Sequence, residues 1–131
     1  MLRIDVMISE LAGAVPGVLL AAVVSSSGVP LATSSWDLAP DSAENLAASG
    51  RNLLSVAWYA TTRFDAGPPL FGIVEMEHAT LVTAPITNDT CLAVLATPEC
   101  VMGDLADHVA HTANRAREVL TPEVQAELHT R

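Results

Sequence analysis

The sequence predicts an α/β sandwich of the α+β class, in which helices cover a five-stranded antiparallel sheet in the order α-β-β-α-β-β-β-α. Two observations lead to this fold class. Five apolar runs of strand length are bounded by turn residues, and only two or three residues separate the last three runs, which favours antiparallel hairpins. Apolar residues at helical spacing mark the other segments. The 131 residues fit one domain, predicted over residues 1–122, with a short tail over residues 123–131.

The first half of the chain predicts a helix followed by a hairpin of two strands. The helix is indicated by apolar residues at helical spacing, namely Ile4, Met7, Ile8, Leu11 and Val15. It ends at Pro16-Gly17, because proline disfavours α geometry in the residue before it and glycine accepts the turn. The strands are predicted over Val18–Ser25 and Val29–Ser35. Pro30 cannot donate to a ladder, which favours a sheet edge for the second strand.

A long second helix is predicted up to Phe64. Its start is indicated by Asp41 and Glu44, which resemble a capping box. Two neighbouring stripes of this helix are apolar. The first stripe is mostly small and consists of Ala43, Ala47, Gly50, Leu54, Ala57 and Thr61. The second stripe consists of Leu46, Leu53, Ala60 and Phe64. Such a helix has more apolar surface than one sheet can cover, which predicts a second contact surface.

The second half of the chain predicts a meander of three strands and a last helix. The strands cover Leu70–Met76, Ala79–Ile86 and Thr90–Ala96. The core-facing stripe of the helix consists of Val101, Leu105, Val109, Ala113, Ala116 and Leu120. Thr121-Pro122-Glu123 predicts one more short helical turn, with proline at its first position.

Charge and composition exclude several classes of function. Fifteen acidic residues face six basic ones, all arginine, and the net charge of −9 repels nucleic acid and anionic membranes. The apolar run Val18–Val24 is much shorter than the roughly 20 residues of a spanning helix. Two cysteines are too few for a disulfide framework, so we expect a cytoplasmic protein.

Four stretches together resemble the Roadblock / dynein light chain family. VPGVLLAAVVSSSGVPLA, over residues 15–32, is similar to the family's opening, where Pro-Gly-Val ends the first helix and a hairpin follows. IVEMEHATLVTAPI, over residues 73–86, is similar to its third-to-fourth strand hairpin. CLAVLATPEC and AREVLTPEVQAEL are similar to the fifth strand and tail of bacterial, MglB-like members. The resemblance covers nearly the whole chain and implies a Roadblock/profilin-like fold.

The resemblance also implies a homodimer, in which the third strands of two subunits pair edge to edge and the second helices pack together. The residues supply two reasons for such pairing: the third strand is apolar and weakly protected, and the small stripe allows close approach. The predicted dimer interface consists of Ala43, Ala47, Gly50, Leu54, Ala57, Leu70, Phe71, Gly72, Ile73 and Val74.

MglB-like members bind a Ras-like small GTPase of the MglA type and promote its GTP hydrolysis, so the resemblance implies a GTPase regulator. We expect contacts along the second helix, with Trp58 as the best anchor. The predicted partner-binding residues are Arg51, Asn52, Ser55, Trp58, Tyr59, Thr62 and Arg63. Two alternatives stay open: a scaffold for a signalling complex that includes a sensor kinase, and a small-ligand sensor. A pocket would favour the sensor.

Motifs for independent chemistry are missing from the sequence. It has no phosphate-binding glycine loop and no lysine, so we predict a non-enzymatic protein without a cofactor. Asp104/His108 and Asp107/His111 are spaced to share a helical face, which suits a metal or a solvated surface equally. Without a third ligand we assign no metal site. Cys91 and Cys100 could pair or stay free, and Trp36 could be core or interface.

Overall fold

The computed structural model describes residues 3–35 and 41–130, which form one antiparallel sheet between two layers of helices. The helices are α1 (Arg3–Ala14), α2 (Ser42–Phe64), α3 (Met102–Val119) and α4 (Pro122–His129). The strands are β1 (Val18–Ser25), β2 (Pro30–Thr33), β3 (Gly72–Glu75), β4 (Thr80–Pro85) and β5 (Thr90–Ala96). The strand order is β2-β1-β5-β4-β3, which confirms the predicted fold class and the edge position of β2.

Each face of the sheet carries its own apolar core. On one face, α1 and α3 cover the larger core, which includes Ile8, Val94 and Val109. The predicted apolar stripe of α1 is buried there at all five positions. On the other face, α2 covers a smaller core that includes Leu54 and Ala93.

A row of small residues crosses the sheet beneath α2. The ladders align Ala22 with Ala93, Ala93 with Thr83, and Thr83 with Gly72. This row lets the helix come so close that a Cβ on Gly50 would lie 2.6 Å from the Cβ of Ala93. The small residues therefore set the distance between α2 and the sheet.

The turn after α1 is fixed by a tertiary contact. Gly17 has a φ of 97°, and its carbonyl oxygen accepts a hydrogen bond of 2.8 Å from the backbone N–H of Thr97. A Cβ at this position would lie 2.7 Å from the Thr97 hydroxyl oxygen. The predicted end of the helix at Pro16-Gly17 is confirmed, and glycine is needed there for space as well as for conformation.

Several predicted boundaries need correction. The strands β2, β3 and β4 are one or two residues shorter than predicted at every end. Some of the predicted end residues form single hydrogen bonds at the turns instead of ladder pairs, as between Met76 N–H and the Ala79 carbonyl oxygen. Asp41 does not form a capping box: its φ is 73°, its side chain makes no capping hydrogen bond, and its carbonyl oxygen accepts from Asn45 N–H instead. Val101 is exposed because it precedes α3 rather than lying within it.

The segment predicted as a tail forms α4. The Thr121 hydroxyl oxygen accepts a hydrogen bond of 3.3 Å from Val124 N–H, which caps the helix, and Pro122 opens it as predicted. Leu128 is buried in the larger core. Trp36 lies outside the described residues. None of the described helices is long and apolar enough to cross a membrane.

Candidate functional site

Strand β3 forms an edge of the sheet, with β4 as its one neighbour among the described strands. Its side chains alternate between the two faces: Val74 is aligned with Leu81 on the α2 face, and Ile73 with Val82 on the other face. Ile73, Val74 and the preceding Leu70 are all exposed. The edge therefore offers unpaired backbone groups and apolar side chains together, as the sequence predicted.

The small stripe of α2 is occupied by the chain's own sheet. Ala43, Ala47, Gly50 and Leu54 are buried, and Ala57 is partly buried against the same core. The prediction that this stripe meets a second subunit is therefore corrected, because no backbone can approach a face that already contacts Ala93. The sequence predicts that these small residues pack against a second helix, whereas in the structure they pack on the row of small residues in the sheet.

A different side of α2 continues the β3 edge. Leu53 packs over Gly72, and the Leu53 Cγ lies 2.8 Å from the position that a Cβ on Gly72 would occupy. On this side Val56 and Phe64 are 65% and 79% exposed. With the three exposed edge residues they form what we call the apolar seam, which consists of Val56, Phe64, Leu70, Ile73 and Val74. Val56 was missed from the sequence because it belongs to neither predicted stripe, although its spacing of three from Leu53 places it beside that residue.

The predicted partner-binding residues lie together on the remaining side of α2, which we call the polar-aromatic face. It consists of Arg51, Asn52, Ser55, Trp58, Tyr59, Thr62 and Arg63. Arg51 borders the turn between β1 and β2, since a Cβ on Gly28 would lie 3.8 Å from the Arg51 Cβ. Trp58 is 38% exposed and Tyr59 more so. The Arg63 guanidinium carbon lies 5.0 Å from the centre of the Tyr59 ring, a cation–π distance.

Hydrogen bonds within α2 hold parts of this face. The Ser55 hydroxyl donates to the Arg51 carbonyl at 3.0 Å, and the Thr62 hydroxyl donates to the Trp58 carbonyl at 3.1 Å. These bonds satisfy the hydroxyl groups locally. Trp58 and Tyr59 present aromatic surface on this face, and Arg63 lies over the Tyr59 ring on a chain whose net charge is −9.

The other candidate groups do not assemble into a site. His108 Nδ1 lies 2.9 Å from the backbone carbonyl oxygen of Asp104, a contact within α3. In the described part of the chain no three histidine, cysteine or acidic side chains are grouped to hold a metal ion. Cys91 and Cys100 are both free. Burial raises the pKa of the Cys91 thiol, although Thr83 and Arg51 partly oppose this effect.

The arrangement of one antiparallel sheet between α2 and the α1/α3 layer defines a profilin-like α+β domain. Profilin II from Acanthamoeba castellanii has the same fold, with a TM-score of 0.60 at 17% identity over 87% of this chain and 96% of that one. The model of the Roadblock/LC7 domain family matches residues 4–96, and the chain belongs to this family.

Solved structures that are more similar to this chain than profilin include a Roadblock/LC7 domain and an MglB protein. The Roadblock/LC7 domain from Streptomyces avermitilis is 32% identical, has a TM-score of 0.80, and aligns over 88% of this chain and 96% of its own. MglB from Myxococcus xanthus has a TM-score of 0.78 at 10% identity, over 89% of this chain and 94% of its own, and thus shares the fold. A search of curated proteins found no match.

Proposed function

We propose that the chain forms a homodimer in which two apolar seams meet and two β3 strands pair. The support is the coincidence of an open strand edge with five exposed apolar side chains on one side of the molecule. Apolar patches of this kind mark contact surfaces on soluble domains. In this proposal Leu70, Ile73 and Val74 contribute side chains, whereas the less exposed Phe71 and Gly72 contribute backbone.

A charged substitution on the β3 edge tests the proposed dimer. Val74→Lys is expected to give a monomer of 13.7 kDa by light scattering, where the wild type gives twice that mass, because lysine blocks edge pairing. Val29→Lys is the matched control, since Val29 is an exposed valine outside the seam. A dimeric Val74→Lys variant, or a monomeric wild type at micromolar concentration, would contradict the proposed interface.

We further propose that the polar-aromatic face binds a Ras-like small GTPase and regulates its GTP hydrolysis. The observation that carries this proposal is that six of the seven predicted residues are exposed on α2, while the seventh, Arg51, is half-buried near Cys91. Tryptophan, tyrosine and arginine are the side chains that most often dominate binding energy. The MglB-like members that the sequence resembles supply the class of partner.

The two proposed surfaces are compatible with each other. The apolar seam lies on the side of α2 that adjoins β3, and Arg51 lies on the side that adjoins the β1–β2 turn. Dimerisation through β3 therefore leaves the Arg51 side of the polar-aromatic face open to a partner, whereas Asn52 and Tyr59 lie beside Val56 of the seam by helical spacing. We assign no catalytic role to Arg51 or Arg63, because no contact in the structure distinguishes either as a group inserted into a GTPase.

A binding titration tests the GTPase proposal. The Ras-like GTPase encoded nearest in the genome is loaded with GDP or a GTP analogue and titrated against wild type, Trp58→Ala and the control Val6→Ala, whose side chain is similarly exposed on α1. Loss of the tryptophan is expected to weaken binding by about tenfold or more while the dimer persists. No binding by wild type in either nucleotide state would refute the proposal and favour a scaffold role that uses the same face, such as in a complex with a sensor kinase.

A further inference from the structure

A groove of about 510 Å³ lies beside the N-terminal half of α2. Its floor is a row of leucines from three neighbouring strands, because Leu20 is aligned with Leu95 and Leu95 with Leu81. Leu46 of α2 and Met76, which follows β3, also line it. The groove is thus apolar along its floor and open to solvent above.

A β-bulge adds one more leucine to the lining. The ladder with β5 pairs Val18 with Ala96 and Leu20 with Leu95, so Leu19 is an extra residue without a partner. In a regular strand Leu19 and Leu20 would point to opposite faces of the sheet, yet both line the groove. Bulges redirect side chains in this way. Leu19 remains 48% exposed, so the described elements leave about half of it open.

One wall of the groove is polar and uncharged. Ser42, Asn45 and Ser49 line it from successive turns of α2, at a spacing that places them on one side of the helix. Among the described residues, none that lines the groove is charged, although the chain carries a net charge of −9. An ion bound on the leucine floor would lose part of its hydration, and no described lining side chain offers a counter-charge, so the lining favours a neutral occupant.

We propose that this groove binds a neutral aliphatic small molecule with one hydrogen-bonding group, such as a hydroxyl or an amide. The aliphatic part lies on the leucine floor, and the polar group bonds to the serine and asparagine wall. The volume falls within the range of small-molecule sites. A peptide suits the groove less well, because its repeated backbone N–H and C=O groups would need polar partners on every side. The activity goes beyond GTPase regulation and does not depend on it.

Competition with a neutral fluorescent probe, N-phenyl-1-naphthylamine, tests the charge selection. The wild type is expected to bind the probe saturably, and 1-decanol and decanamide are expected to displace it. Decanoate and decylammonium, which have the same chain length but carry a charge, are expected to need at least about tenfold higher concentrations. Equal displacement by charged and neutral compounds would overturn the proposal.

Two substitutions locate the binding site. Leu19→Glu is expected to weaken probe binding by about tenfold or more, since it places a charge in the groove. Val29→Glu is expected to bind as wild type, because Val29 is 50% exposed but lies outside the groove. Asn45→Ala is expected to weaken displacement by decanamide while probe binding is kept.

Probe binding and light scattering on the same samples distinguish a ligand-binding groove from a contact with a second copy of the chain. Undiminished probe binding by Leu19→Glu would overturn the proposal. Absence of saturable binding by wild type would also overturn it, and would assign the groove to contact with a second copy if Leu19→Glu were then monomeric.

Discussion

Replacement of Gly50 by alanine tests how closely α2 approaches the sheet. The added Cβ would lie 2.6 Å from the Cβ of Ala93, about 1 Å inside an ordinary carbon–carbon contact of roughly 3.5–4.0 Å. Neither neighbour can move freely, since Ala93 lies in the middle of β5 and α2 packs on the sheet on both sides of Gly50, from Ala43 to Leu54. Such overpacking costs about 1–3 kcal/mol, whereas alanine in a helix interior is worth about 1 kcal/mol over glycine.

Gly103→Ala is the matched control, because it is the same substitution in α3 with nothing within 4 Å of the new Cβ. Urea denaturation at equal protein concentration measures the free energy of unfolding of both variants. We expect Gly103→Ala to be at least as stable as wild type, and Gly50→Ala to be about 1–3 kcal/mol less stable than Gly103→Ala. If both substitutions change the stability by the same amount, the close packing of α2 on Ala93 is refuted.

Two further predictions concern the last helix, α4, and the two cysteine thiols. Leu128→Ala is expected to destabilise the fold by about 2–4 kcal/mol in the same urea assay, because it empties a buried position. Ala126→Gly is an exposed control in the same helix and is expected to cost only its helix propensity, about 1 kcal/mol. An unchanged midpoint for Leu128→Ala would show that α4 does not stabilise the core. Iodoacetamide at pH 8 is expected to modify the partly exposed Cys100 well before Cys91, as read by mass spectrometry. Both thiols should react slowly, since burial raises the pKa of each and Asp104 raises that of Cys100 further. Faster modification of Cys91 would contradict its burial.

The central strands were predictable from the sequence for a physical reason. Both faces of β1 and β5 are covered by helices, so each strand is a continuous apolar run between polar turns, and the predicted bounds Val18–Ser25 and Thr90–Ala96 match the structure. The ends of helices and strands that depend on single backbone contacts were harder to predict. Asp41 has the residue pattern of a cap, but its backbone is left-handed and its side chain makes no capping hydrogen bond.

The candidate site was predictable in part. The seven residues of the polar-aromatic face all lie on α2 as predicted, and their role in binding a partner stays a prediction. The inward-facing stripe of α2 was assigned to a second subunit, because its true partner is a row in which Ala22, Ala93 and Thr83 meet only through strand register. The groove was equally hidden, since the bulge at Leu19 leaves no mark in the apolar run that contains it.

The interior position of β1, which pairs with a strand on each side, also affects how the chain folds during synthesis. One partner, β2, follows within a few residues, but the other is β5, where Ala22 pairs with Ala93 near the last quarter of the chain. Until β5 has been synthesised, the apolar segment Val18–Ser25 keeps one unpaired edge, through which nascent chains can associate. Because such distant pairing is slow to form, slower synthesis at reduced temperature is expected to raise the yield of folded protein.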